Sequence, residues 1–476
     1  MRLWALVRTV TLRAPAKPPA IGAAGFEPAT SCSQSRRATR LRHAPWADTV
    51  PVLASPAAMA DVQPLRALHY DLDRVGSLAA VATPPYDVID PAQRAELAAR
   101  SPHNAVHVDL PRGEPDPYAH AAELLAAWRA EGAVVTDAEP ALWALGQDYT
   151  APDGRRLTRH GFFARVRVED YGPGRIRPHE RTHPGPKEDR LRLTRATRAN
   201  LSPIFSLYAD PAGAAWGALA PATDGEPWGT LTDEDGTTHR LWRVADPAAV
   251  EAVRAALADA ELLIADGHHR YETARVYANE VGGEGPHRYV LMCLVALEDD
   301  GLTVFPTHRL IRDTTSEGQE RLAAVLRRDF AITEIDRSEL APPAGDGPLE
   351  LGYLDAHFKR SFRLTLRDQA VADAALADRP EPLRRLDAAV LEALVLEGAL
   401  GLTEDDIAHL RGLGYSRTDD EAVALVLDGP YDAAFLLRPT PVRQVREIAA
   451  AGVTMPPKST YFFPKVPTGL LFNPLL

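Results

Sequence analysis

Apolar positions along the chain fall into two rhythms that alternate from residue 105 onward. "AVHVDL" (105–110) is short and β-branched, which predicts a strand. "YAHAAELLAAWRAEG" (118–132) has apolar residues at helical spacing and stops on glycine, which predicts a helix. "ALWALGQDYT" and "RLTRHGFFARVRVED" flank the turn "APDG", the pattern of a β-hairpin. From Lys187 the spacing predicts a helix ending near Asn200. "DPAAVEAVRAALADA" (246–260) opens with Asp and Pro, a helix start. "ELLIA" (261–265) predicts a short buried strand, "DGHHR" a turn, and "YETARVYANEVGG" (271–283) a helix closed by glycines. "RYVLMCLVAL" (288–297) and "LTVFPTHRLI" (302–311) predict two more strands. Further on, "SEGQERLAAVLRRDF" and "LRRLDAAVLEALVLEGAL" predict helices, "YDAAFLLRP" (431–439) a strand and "VRQVREIAAAG" (442–452) a helix. This alternation implies an α/β (mixed α+β) fold.

Length and charge change the picture in two ways. At 476 residues the chain exceeds one ordinary core. The expected division is an α/β core over 59–320 and a C-terminal α/β region over 321–476 whose tail packs on the core. Residues 1–58 carry eight basic and two acidic side chains, a net of +6, so the remainder of a chain at −12 carries −18. "GFEPATSCSQSRRATRLRHAP" (25–45) resembles the conceptual translation of a transfer-RNA gene. The first 58 residues are therefore expected to be disordered or mis-annotated, with the true start near Met59. A body at −18 disfavours nucleic acid as a partner, since phosphate contacts dominate that affinity. No apolar run is long enough to span a membrane. Two cysteines, Cys32 and Cys293, cannot build a disulfide framework, which points to the cytoplasm.

Five stretches carry candidate chemistry. In "ADGHHRYETA" (265–274) a strand meets a helix at Gly267, where backbone can approach a ligand closely. The helix N-terminus offers free N–H groups and a positive dipole end to a phosphate. His268, His269 and Arg270 stand there as phosphate or nucleotide contacts, and Asp266 could hold Mg²⁺ or a substrate hydroxyl. A merely capped helix would also explain Asp266. Residues 174–198 hold eight basic side chains against three acidic, a local +5 suited to a polyanion. Arg177, Arg181 and Lys187 are the nucleotide-binding candidates, although a solvated amphipathic helix accounts for Arg190 to Arg198. "HERTH" adds His179, Glu180 and His183, an acid–base set. "PPYDVI" (84–89) positions Tyr86 and Asp87 on a rigid turn, and "PTHRL" (306–310) presents Thr307, His308 and Arg309. "PPKSTYFFPKVPTGL" (456–470) holds Lys458, Ser459, Thr460 and Lys465 without the glycine loop of a Walker site. Asp87, His179, His308, Lys458 and Thr460 are the substrate-binding candidates.

These stretches, in this order, resemble the bacterial and archaeal family catalogued as domain-of-unknown-function family 1015. The D-G-H-H-R turn is also similar to one in the ParB/sulfiredoxin superfamily, whose free-serine kinases transfer a nucleotide's phosphoryl group to L-serine. That resemblance covers Asp266, Gly267, His268, His269 and Arg270. It implies a ParB/sulfiredoxin-like nucleotide-binding core and phosphates seated at the turn. Such kinases use a glutamate as general base, for which Glu180 is the candidate here, with Asp266 the alternative. The expected activity is a small-molecule kinase using ADP or ATP with Mg²⁺, with His268 beside the carboxylates as a catalytic group. A nucleotide-binding regulatory module and a phosphate-ester hydrolase are the alternatives. The kinase reading requires 177–187 and 266–270 to converge in space.

Overall fold

The strands Leu142–Thr150 and Arg156–Arg167 form the hairpin that seeds the larger sheet, with Trp143 opposite Phe163 and Leu145 opposite Gly161. Alternate side chains enter two different cores. Leu142, Ala144, Phe162 and Ala164 face one, and Trp143, Leu145 and Phe163 face the other. Strands buried on both faces must be apolar at nearly every position, which is why periodicity there is weak. Gly161 is required by packing, since a Cβ would lie 2.8 Å from Val295 and 2.9 Å from the Leu294 carbonyl.

The computed structural model describes residues 60–476, apart from 152–153, 172–174, 181–183 and 346. Residues 1–58, which the sequence reading sets aside, and Met59 lie outside the described residues. The first sheet has nine strands in the order Ile176–Arg177, Leu262–Asp266, Ile204–Tyr208, Tyr289–Ala296, Arg156–Arg167, Leu142–Thr150, Thr238–Val244 and Gly229–Thr232, with Val62–Gln63 also pairing to Arg156–Arg167. Leu262–Asp266 runs parallel to Ile176–Arg177, and Tyr289–Ala296 parallel to Ile204–Tyr208; the other pairings are antiparallel. The second sheet is antiparallel, in the order Phe330–Ile335, Arg360–Leu366, Glu350–Asp355, Ala433–Leu436, His308–Ile311 and Leu413–Ser416. The fold is mixed α/β. One buried cluster joins Phe163 and Leu207 of the first sheet with Leu364 and Phe435 of the second, and takes in Phe462, Leu470 and Phe472 of the tail.

Three expectations are corrected. Residues 105–110 form a helical turn, Val106–Asp109, and not a strand. The Asn104 side chain accepts the Val106 N–H at 3.0 Å while its amide reaches the Ala80 carbonyl, a local turn that competes with extension. The run 302–311 is two strands. Pro306 interrupts it, so Thr303–Phe305 pairs with Tyr461–Phe463 while His308–Ile311 joins the second sheet. The helix expected at 383–400 is broken at Leu386, which is extended, and continues as Asp387–Leu391 and a π-helical Glu392–Glu397.

The C-terminal segment bridges in succession to elements outside the first sheet. Met455 bridges to Glu180, Thr468 to Thr83 and Phe472 to Leu68, and Asn473–Pro474 pairs with Ala199–Asn200.

Candidate functional site

The turn after Leu262–Asp266 is made by Gly267 at φ +95°, where a Cβ would stand 3.0 Å from Arg270 Nε. Helix His268–Val281 begins at once, and no side chain caps its N-terminus. Arg270 folds back over the glycine. Its guanidinium donates to Asp266 Oδ2 at 3.1 Å and to the Pro203 carbonyl, and lies 5.9 Å from the Tyr86 ring centre. Lys465 stands 3.5 Å from Asp266 Oδ1. Burial alone would raise the Asp266 carboxyl. Lys465, Arg270 and Lys458 together outweigh it and hold that group well below the usual carboxylate range.

Two imidazoles sit beneath the turn. His179 Nδ1 lies 2.7 Å from the Ile264 carbonyl, so it carries the proton and donates. Its Nε2 then accepts from the Thr460 hydroxyl at 2.9 Å. His268 Nε2 accepts the His179 backbone N–H at 3.4 Å, leaving its proton on Nδ1. The rings meet edge to face, 4.7 Å between centres. Burial lowers the pKa of both, and each ring's proximity to the other adds to this for His268, so both are neutral.

The tail closes the site from the other side. Lys458, at φ +56°, gives its backbone N–H to Glu180 Oε1 at 3.3 Å. The Met455 N–H reaches the His179 carbonyl at 2.8 Å. Arg309 is buried and donates to the Lys458 and Pro457 carbonyls, both at 3.1 Å. On the opposite flank, Arg190 lies over Tyr86 at 4.2 Å and bonds the buried Asp109, which also accepts from Ser202. Burial pushes the Tyr86 hydroxyl up to about 12, against the opposing pull of Arg270 and Arg190. A cavity of about 40 Å³, room for ordered water, is lined by Asp109, Arg190, Ser202, Arg270 and Thr273.

Asp266, Gly267, His268, His269, Arg270, His179, Glu180, Thr460 and Lys458 therefore gather at one place, and Asp87 is close enough to act electrostatically on Arg270. His269 is half-buried and engaged. Segments 177–187 and 266–270 do meet: the His179 N–H reaches His268 Nε2 at 3.4 Å and their rings lie 4.7 Å apart. Four candidates are used elsewhere or fall outside. Arg177 is paired with Glu261 at 2.6 Å. His308 accepts the Leu437 N–H and lies 2.8 Å from Asp419, while its neighbour Arg309 turns to the tail. Arg181 and His183 lie outside the described residues. Arg270 is also not an open phosphate clamp, because Asp266 and Pro203 occupy its fork. Sequence reasoning named Lys465 without giving it a role, read Arg190 as part of a solvated helix although it is buried, and left out Asp109 and the buried Arg159; the partners of all four are distant in the chain.

A resident metal fits poorly. Among the described residues no group of three or more His, Cys, Asp or Glu side chains could hold one. Asp266, the expected Mg²⁺ ligand, has one oxygen on Arg270 and the other near Lys465. No helix among the described residues is long and apolar enough to cross a membrane.

Among solved structures, a conserved hypothetical protein from Pyrococcus furiosus is 17% identical, with a TM-score of 0.33, covering 62% of this chain and 90% of that one. A free serine kinase in complex with AMP is 16% identical, with a TM-score of 0.31, covering 60% of this chain and 83% of that one. SbnI from Staphylococcus aureus, C-terminally truncated, is 12% identical, with a TM-score of 0.33, covering 63% and 82%. Similarity this low does not transfer an activity. No curated protein matches the chain. The family described as "Protein of unknown function (DUF1015)" matches residues 62–389, well over half of the sequence, and the chain belongs to that family.

Proposed function

We propose that the chain is a small-molecule kinase, passing a phosphoryl group from ADP or ATP to a metabolite hydroxyl in the cytoplasm. One observation carries this reading. A long helix with no side-chain cap begins where Asp266, Lys465, Lys458, neutral His268 and Glu180 converge. The uncapped amides of residues 268–270 would receive the phosphates. Lys465 and Lys458 would neutralise charge as it shifts to the leaving oxygen. The acceptor oxygen would bond to the terminal phosphorus, the bond to the leaving phosphate oxygen would break, and the acceptor's proton would pass to Glu180. Asp266 is the poorer base, because the surrounding cations hold it strongly ionised. His268 would offer Nδ1–H as a donor. Asp87 and Thr460 would line the acceptor side. Mg²⁺ would arrive on the nucleotide, since Asp266 is engaged by two cations.

L-Serine is the first acceptor to test, because the turn resembles that of free-serine kinases. The protein would be incubated with ADP or ATP, Mg²⁺ and a panel of hydroxy-metabolites, and products read by mass spectrometry. A phosphorylated product is expected, and Glu180→Gln should lower turnover by roughly 10²–10⁴-fold with little change in nucleotide affinity. No phosphorylated product across the panel would remove the kinase reading. The commitment of Asp266 to Arg270 and Lys465 favours a second reading, a nucleotide-binding regulatory module. It predicts thermal stabilisation by nucleotide that survives Glu180→Gln, without turnover. Release of inorganic phosphate from an ester would instead mark a hydrolase.

A further inference from the structure

Two buried guanidinium groups in this protein, those of Arg159 and Arg309, donate to amide oxygens and not to carboxylates. Arg159 is wholly buried on Arg156–Arg167. Its Nε donates to Gln147 Oε1 at 2.9 Å, and a terminal nitrogen donates to the same oxygen and to the Pro464 carbonyl, both at 2.5 Å. The guanidinium lies 4.5 Å from the Phe205 ring centre. Gln147 passes the constraint on: its amide nitrogen donates to the Lys465 carbonyl at 3.1 Å. That amide is itself fixed, lying 3.0 Å from His239 Nδ1, while His239 Nε2 is 2.7 Å from Asp233. Arg309 does the same work on the C-terminal strap, residues 455–470, holding the Pro457 and Lys458 carbonyls at 3.1 Å, and it also donates to the Thr307 carbonyl at 2.5 Å.

The strap carbonyls held are those of Pro457, Lys458, Pro464 and Lys465. These are the two strap lysines that act on Asp266 and the residue before each. Burying a guanidinium without a carboxylate is costly, and a methionine of similar reach would avoid that cost. What arginine adds is a rigid fork of donors that fixes several carbonyl oxygens at once.

We infer that Arg159 and Arg309 are positioning residues: they clamp the backbone of the C-terminal strap so that Lys458 and Lys465 stand over Asp266 and the start of helix His268–Val281. The clamp is a matter of geometry alone. Its value for ligand binding rests on the proposed anion site. Arg309 has a second effect, since the peptide it grips at Pro457 carries the Lys458 N–H given to Glu180.

The test uses the full chain and two readouts. In Arg309→Met and Arg159→Met, amide hydrogen exchange should quicken in 455–470 and stay near wild type in the central strands. Arg159→Lys, which keeps charge with fewer donors, is read if Arg159→Met does not accumulate folded. With ADP as the probe, each variant should bind roughly tenfold more weakly than wild type. Arg309→Met combined with Lys458→Ala, and Arg159→Met combined with Lys465→Ala, should lose little more than the lysine change alone. Unchanged exchange in 455–470, or losses that multiply in the double variants, would overturn the clamp. If wild type binds no ADP, the kinase proposal falls and the exchange pattern alone decides the clamp.

Discussion

At the residue scale, the D-G-H-H-R turn shows how far side-chain type predicts place but not engagement. Gly267 is needed for the reason its sequence position suggests, a left-handed backbone at the strand's end. Gly267→Ala should destabilise by about 1–3 kcal/mol, because φ +95° is strained for alanine and the Cβ would press on Arg270; urea unfolding measures it. The two histidines set a pH dependence. Both are held neutral when folded, with pKa values lowered by burial, so the unfolded chain binds more protons below about pH 6.5. Stability should therefore fall as pH drops from about 7 towards 5, and His268→Gln should flatten that slope in thermal melts. Asp266 acts in the same direction at lower pH, since its depressed carboxyl stabilises only while ionised. Arg270 departs from the expected role. An arginine four residues after an aspartate at a tight turn pairs with it across the helix start, so its fork is filled before any ligand arrives.

At the element scale, sequence patterns with a strong period survive in the structure. The helices Pro247–Leu257, His268–Val281, Ser316–Asp329 and Val442–Ala450 are where the apolar spacing places them, and the hairpin of Leu142–Thr150 and Arg156–Arg167, weak in period, is where the two runs flanking its turn place it. The failures have local causes. Asn104 makes its own turn, Pro306 divides one apparent strand between two sheets, and Leu386 breaks a helix. The tail strand Tyr461–Phe463 is short and bounded by proline, so its partner cannot be read from pattern alone. In the fold Phe463 stacks on Phe305 at 4.6 Å and meets Tyr149 edge-on at 5.3 Å. Phe463→Ala should cost about 3 kcal/mol in thermal or urea unfolding and loosen the strap.

At the scale of the whole molecule, charge and topology decide what the site can attract. Outside the first 58 residues the chain carries −18, yet Lys458 and Lys465 face one aspartate at the head of a helix. A local cationic site in an acidic body depends on short-range attraction, which salt screens. ADP binding should therefore weaken several-fold between about 50 and 300 mM NaCl, as calorimetric titration would show. The sequence alone determined the mixed α/β class and the five chemically rich stretches, because hydrophobic period and clustered polar residues are local properties. It also marked Gly267 and the helix behind it. Only the tertiary structure decided that a segment two hundred residues away lays its lysines across that turn, that Arg309 and not His308 faces the strap, and that Arg270 is already taken. Contacts of this kind depend on which backbone carbonyls and carboxylates lie nearby after folding, and neither spacing nor composition encodes that distance.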